Sequence, residues 1–164
     1  MNVVVNLTSG EYQDALTEAY NRLSVWVGGH SYKHHDPREA NVLGACGEAA
    51  AAKYLRLDYV RRDDWKPYDA DLGHDIEVKT AYNPVLILQG NNDRTRRYVL
   101  VTKQKGRGFH YIIHGWAYGW EVFANGILHP PGSERGGKHG SHWLDARMLH
   151  DPEELRAAVV LERI

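Results

Sequence analysis

Cysteine is almost missing from this chain: Cys46 is the only one in 164 residues. A lone cysteine excludes an intramolecular disulfide and a cysteine-based zinc site, and it suits a reducing cytoplasm. Also missing is any apolar run long enough to cross a bilayer. The opening Met1-Asn2-Val3-Val4-Val5-Asn6-Leu7 has no basic residue and is too short for a secretory signal. The expectation is therefore a cytoplasmic protein with no membrane partner. An excess of one charge is absent too. A net charge of -1 argues against capturing nucleic acid by overall charge and leaves that task to local basic patches. No internal repeat or linker is visible, so residues 1–164 are expected to form one domain around one core. The fractions of 43% hydrophobic and 25% charged residues place the chain among ordinary globular proteins rather than disordered ones.

What is present concentrates between Tyr68 and Thr80. From Asp75 onward, apolar Ile76 and Val78 alternate with Glu77 and Lys79, which is the pattern of a strand. Alternation puts Asp75, Glu77 and Lys79 on one face and Ile76, Val78 and Thr80 on the other. Asp69 and Asp71 lie just upstream, before a turn at Gly73. The parity of that turn decides whether the acids meet. A two-residue turn, Gly73-His74, sets Asp71 against Ile76 and splits the carboxylates between faces. A three-residue turn, Gly73 to Asp75, sets Asp71 opposite Glu77 and Asp69 opposite Lys79. Directly opposed Cβ atoms are about 5 Å apart, within the span of a shared divalent cation. Both turn lengths are known hairpin forms. A solvated strand face with a Glu–Lys pair is the plainer alternative.

A second acid sits on a helix. Asp36-Pro37-Arg38-Glu39 is a helix start, with an Asp cap, proline at the first position and Glu at the third, and the helix should reach about Leu55. Glu48 shares a row with Asn41, Gly44, Ala45, Ala51, Ala52 and Leu55. If that row is buried, Glu48 needs a cation or hydrogen-bond donors, because an unpaired buried charge is heavily penalised. If it faces solvent, the alanines only raise helix propensity.

Taken together, Glu48, then Asp71, then Glu77-Val78-Lys79 resembles the acidic core of the PD-(D/E)XK nuclease superfamily. Gly44-Ala45-Cys46-Gly47-Glu48-Ala49-Ala50-Ala51 resembles the helix segment of its small bacteriophage-type members. The PD dipeptide itself is absent; Pro67-Tyr68-Asp69 comes near it and leaves Asp69 as a rival to Asp71, with Asp75 a further candidate. The resemblance implies an α/β (α+β) fold with a restriction-endonuclease-like core, a central mixed sheet flanked by helices. It implies a metal-dependent deoxyribonuclease using Mg2+ or Mn2+, with catalytic residues Glu48, Asp71, Glu77 and Lys79. The metal ligands would be Glu48, Asp71, Glu77 and the carbonyl of Val78, and Lys79 would orient the attacking water. The product would carry a 5′-phosphate. DNA is the expected partner, with RNA left open. Many members act as homodimers, and no residue pattern here decides that. A phage origin would put the protein in a bacterial host's cytoplasm.

The remaining chain reads as scaffold and loops. Asn2 to Leu7 is a short strand, Thr8-Ser9-Gly10-Glu11 a capping box, and Tyr12 to about Val27 a core helix stopped by Gly28-Gly29. A nucleic-acid or dimer contact through Tyr20 and Arg22 is its alternative role. Strands follow at Val85–Leu88, Tyr98–Lys103, Phe109–Gly115 and Ser141–Ala146, with a short helix over Ala117–Phe123. Near the site the sheet should be a mostly antiparallel meander. The turn with Lys103, Lys105 and Arg107 offers phosphate contacts among glycines, or only solubility. His129 to His142 reads as a long loop over a groove, or as an insertion. His34-His35-Asp36 and His139-Gly140-Ser141-His142 lack the helical spacing or cysteine partners of a metal site. Asp151-Pro152-Glu153-Glu154 begins a final helix to about Leu161. Two other function classes stay open: a non-cleaving DNA-binding module of the same fold, such as a phage accessory protein, and a metal-dependent hydrolase of a small phosphate ester.

Overall fold

A computed structural model describes residues 1–25, 36–59, 69–106 and 108–163. Trp26 to His35, Val60 to Tyr68 and Arg107 fall outside the described residues, and with them the Gly28-Gly29 stop, the His34-His35 pair, the Pro67-Tyr68 part of the hairpin and one basic residue of the phosphate-binding turn.

Strand β1 (Val3–Asn6) leads into α1 (Ser9–Val25) and α2 (Pro37–Leu55). The capping box forms as read. Thr8 N–H donates to Glu11 at 2.7 Å, and Glu11 N–H donates to Thr8 Oγ1 at 3.2 Å. Asp36 caps α2 by accepting from the Arg38 N–H at 2.9 Å. Beyond α2 come β2 (Ile76–Ala81), β3 (Val85–Gln89), β4 (Arg97–Lys103) and β5 (His110–Tyr118). They are followed by α3 (Gly119–Asn125), β6 (Ile127–His129), β7 (Ser141–Asp145) and α4 (Pro152–Leu161). The short helix expected over Ala117–Phe123 starts later, because Ala117 and Tyr118 still pair with Tyr98 and Arg97 in the sheet.

The strands form two sheets rather than one meander. The first has the order β1-β5-β4-β2, and the second β3-β7-β6. In the first sheet β2 and β4 run parallel, while β4–β5 and β1–β5 are antiparallel. The expected antiparallel meander near the site is therefore wrong. Strand β3 leaves for the second sheet, where Val85 to Gln89 pair with Ser141 to Asp145. That detour lets the chain return to β2 from its other end, as a parallel neighbour must. The result is a mixed α/β protein, with four helices and two sheets among the described residues.

Two apolar clusters define the layers. One joins Val5, Ala15, Ala19, Ala45, Ala50, Ile76, Val78, Val99, Ile113 and Leu155, and so fills the space between the helices and one face of the first sheet. The other joins Tyr98, Leu100 and Ala117 on the opposite face to Leu86, Leu88 and Leu144 of the second sheet and Val122 of α3. The alanine-rich stretch of α2 is explained by this packing. A Cβ on Gly47 would lie 1.8 Å from Thr80 Oγ1, so only glycine lets α2 approach β2 this closely. No helix among the described residues is long and apolar enough to cross a membrane.

Candidate active site

Among the described residues strand β2 is an edge of the first sheet, and the acidic residues gather beside it. The turn before it has three residues. Leu72 bridges Ile76, with Leu72 N–H donating to the Ile76 carbonyl at 3.0 Å and Ile76 N–H donating back at 3.2 Å. Gly73 turns the chain at φ 59°, a left-handed conformation that favours glycine. This is the parity that sets Asp71 beside Glu77. Asp71 Oδ2 accepts from the Val78 N–H at 2.8 Å, so its carboxylate lies along the free edge.

Glu77 and Lys79 leave β2 on the side of Tyr98, whereas Ile76 and Val78 enter the helix-side core. Lys79 Nζ is 4.0 Å from Glu77 Oε2 and 5.7 Å from the centre of the Tyr98 ring. Arg96 also forms an ion pair with Glu77. Burial raises the Glu77 pKa and the charge of Asp71 raises it further, against the pull of Lys79 and Arg96.

Glu48 reaches the same neighbourhood from α2. It is 5% exposed, so the solvent-facing alternative for its row does not apply. Arg22 of α1 holds it with two hydrogen bonds, of 2.8 Å to Oε1 and 2.6 Å to Oε2. Arg22 also donates to buried Glu18 at 2.9 Å. Burial pushes the Glu48 pKa up to about 7, with Asp71 and Glu18 adding to the rise and Arg22 opposing it. Burial works against the charge of Arg22, but Glu48 and Glu18 outweigh it and hold its pKa above the usual guanidinium value. Asp71 thus stands electrostatically between Glu48 and Glu77, raising the pKa of each.

Of the two rival carboxylates, Asp75 is taken up by another ion pair. Asp75 receives the buried Arg97 guanidinium, with Arg97 Nε at 2.7 Å, and Arg97 also reaches Glu162 at 2.9 Å. This ion pair ties the turn to the end of α4 and leaves Asp75 a structural residue. Asp69 is exposed. Lys103 and Lys105 sit by the opposite end of β2, each near a tyrosine: Lys103 Nζ is 5.9 Å from the Tyr111 ring centre and Lys105 Nζ is 5.1 Å from that of Tyr82. His142 packs against Phe123 with the rings tilted and their centres 4.7 Å apart. The expected long loop is a chain of tight turns. Ser133 Oγ donates to the Pro130 carbonyl at 2.6 Å, and Gly90 N–H donates to the Gly140 carbonyl at 2.9 Å.

Sequence reading missed two arginines as site members. The sequence offers Arg22 only as a nucleic-acid or dimer contact and does not single out Arg96, yet each engages one of the acids. The signal that pointed to Arg22 was the demand of a buried Glu48 for donors; nothing in the spacing named the donor. Among the described residues no three Asp, Glu, His or Cys side chains are drawn into a ready metal cage. The acids are instead partnered by guanidinium groups. Carboxylates that raise one another's pKa are the hard oxygen donors a divalent cation takes, and such a cation relieves their repulsion.

Compared with protein-family models, curated proteins and solved structures, the chain matches none.

Proposed function

We propose that this protein is a divalent-metal-dependent nuclease of the PD-(D/E)XK type that hydrolyses phosphodiester bonds in DNA. One observation carries the reading: Asp71 docks on the Val78 N–H along the free edge of β2 and raises the pKa of both Glu77 and buried Glu48. Repelling carboxylates held together on three segments carry a cost in stability, and a cation-binding role accounts for that cost. Asp71, Glu77, Glu48 and the Val78 carbonyl would hold Mg2+ or Mn2+. When bound, the metal would supply a polarised water and positive charge for the phosphate. Lys79, beside Glu77 at the sheet edge, is suited to hold the attacking water and offset charge on the phosphoryl oxygens. Arg22 and Arg96 add fixed positive charge around an otherwise acidic site.

A second reading has one observation in its favour. Arg22 and Arg96 already neutralise Glu48 and Glu77, as expected of a DNA-binding module that keeps the fold without turnover. Cleavage separates the two. Circular single-stranded, supercoiled duplex and branched DNA are incubated with Mg2+, Mn2+ or EDTA. The nuclease reading expects metal-dependent cutting that Lys79→Ala abolishes. DNA shifted in a gel but cut under no condition leaves the binding module. Equal cutting by wild type and Lys79→Ala removes this site from consideration.

A further inference from the structure

A hollow outside the acidic cluster opens by the end of β2. It is a cavity of about 400 Å³ between the first half of α2 and the outer face of the second sheet. Glu39 and Leu43 line one wall, Ile87 and Trp143 the other, and Tyr82 and Asn83 the end where β2 finishes. The outer face of the second sheet is apolar here because Ile87 and Trp143 are directly paired and alternate with the inward Leu86, Leu88 and Leu144. The hollow is therefore not simply a gap in the core. Two aromatic rings and aliphatic walls meet a fringe of edge-type polar groups: the Glu39 carboxylate, which accepts from the Tyr82 hydroxyl at 2.9 Å, and the Asn83 amide.

That lining suits a flat heteroaromatic ring with hydrogen-bonding edges. A bare phosphate would find no cation inside it, and an acyl chain would desolvate Glu39 and Asn83 without return. The surroundings narrow the occupant. Lys105 Nζ lies 5.1 Å from the Tyr82 ring centre. Lys103 follows Thr102, which pairs with Ala81, so it stands beside the same strand end. Cations near the strand end and aromatic faces within the hollow are the combination that binds single-stranded nucleic acid, through phosphates outside and stacked bases inside. The cavity and the acidic residues share strand β2. Tyr82 is about 10 Å along the chain from Lys79, at about 3.3 Å per residue.

We propose that the cavity between α2 and the Ile87–Trp143 sheet face is a nucleobase pocket that receives an unpaired base from the strand whose phosphate lies at the β2 edge, with Lys103 and Lys105 holding the flanking phosphates. The inference rests on the nuclease reading for what happens at the edge and deepens it by naming the substrate class. A base inside a duplex cannot enter such a hollow without leaving its stack, so the substrate carries single-stranded or unpaired nucleotides beside the scissile bond.

The test is fluorescence anisotropy in EDTA with the full chain. The probes are a labelled single-stranded oligothymidylate and a duplex of equal length, with free thymidine monophosphate as competitor. Ala40→Trp fills the cavity from the helix side, and Tyr82→Ala removes a stacking face; circular dichroism checks that both fold. The expected result is tighter binding of the single strand than of the duplex, weakened about tenfold by each variant, in line with one stacked base, while duplex binding is unchanged. Wild type that fails to bind the single strand, or two folded variants that bind it normally, overturns the pocket. Thymidine monophosphate that competes as well as the oligonucleotide overturns the strand assignment in favour of a free-nucleotide site. The two proposals can fail separately. Single-strand binding that depends on the cavity, without cleavage in any metal, keeps the pocket and removes the nuclease. Metal-dependent cleavage with both variants binding normally does the reverse.

Discussion

Glu48 and Arg22 show how a single residue's surroundings carry the site. The sequence left the row of Glu48, with Gly44, Ala45, Ala51 and Ala52, open between burial and solvent, and the structure buries it. Its partner was not legible, because Arg22 is 26 positions away on another helix and only tertiary packing joins them. Breaking a buried pair strands a charge, so Arg22→Leu should destabilise the fold by about 3 kcal/mol. The double variant Arg22→Leu/Glu48→Leu should recover most of that, since an apolar pair leaves no charge behind; urea denaturation measures both. The raised Glu48 pKa has a definite sign. Its ordinary value is 4.5 and its folded value about 7, so the folded state binds the proton more tightly. The contribution to stability is fully present below about pH 4.5 and is lost as pH rises to about 7. Glu77, also raised, acts in the same direction. In EDTA, chemical denaturation should show wild type losing stability across that window, on the order of 3 kcal/mol, and Glu48→Gln following a flatter curve.

Among the elements, the turn and the α2–β2 contact decide whether the acids meet. Sequence left the turn open between two and three residues, and the parity that puts Asp71 beside Glu77 is the one adopted. Alternation alone could not choose, since both lengths suit a glycine turn. Inserting one alanine between Gly73 and His74 should keep the sheet but shift Asp71 off the Val78 N–H, with loss of metal binding and little change in melting temperature. The contact at Gly47 depends on the run of small residues around it. Gly47→Ala should cost about 1–3 kcal/mol, because the added Cβ meets Thr80 and overpacking is paid in displaced backbone. Thr80→Ala should rescue it only in part, since Thr80 Cβ would itself lie 2.8 Å away. The second sheet was not legible. β3 reads as an ordinary apolar strand after a hairpin, and nothing local says that it pairs with β7, more than fifty residues further on.

At the scale of the whole molecule, the net charge of -1 means that no broad positive field draws nucleic acid in. Binding must come from local cations, and Lys103 and Lys105 stand toward the far end of β2 from the acids. Lys103→Ala and Lys105→Ala should each weaken single-strand binding several-fold and lower the slope of log affinity against log salt by about 0.7, as read by anisotropy from low to moderate salt. The account's central claim is that carboxylates gathered at the free edge of β2 hold a divalent cation. Calorimetric titration of Mn2+ into wild type, Asp71→Asn and Lys79→Ala addresses it most directly. The account predicts Mn2+ binding by wild type, its loss in folded Asp71→Asn, and its retention in Lys79→Ala. Mn2+ bound equally by wild type and Asp71→Asn, or by neither, would contradict it.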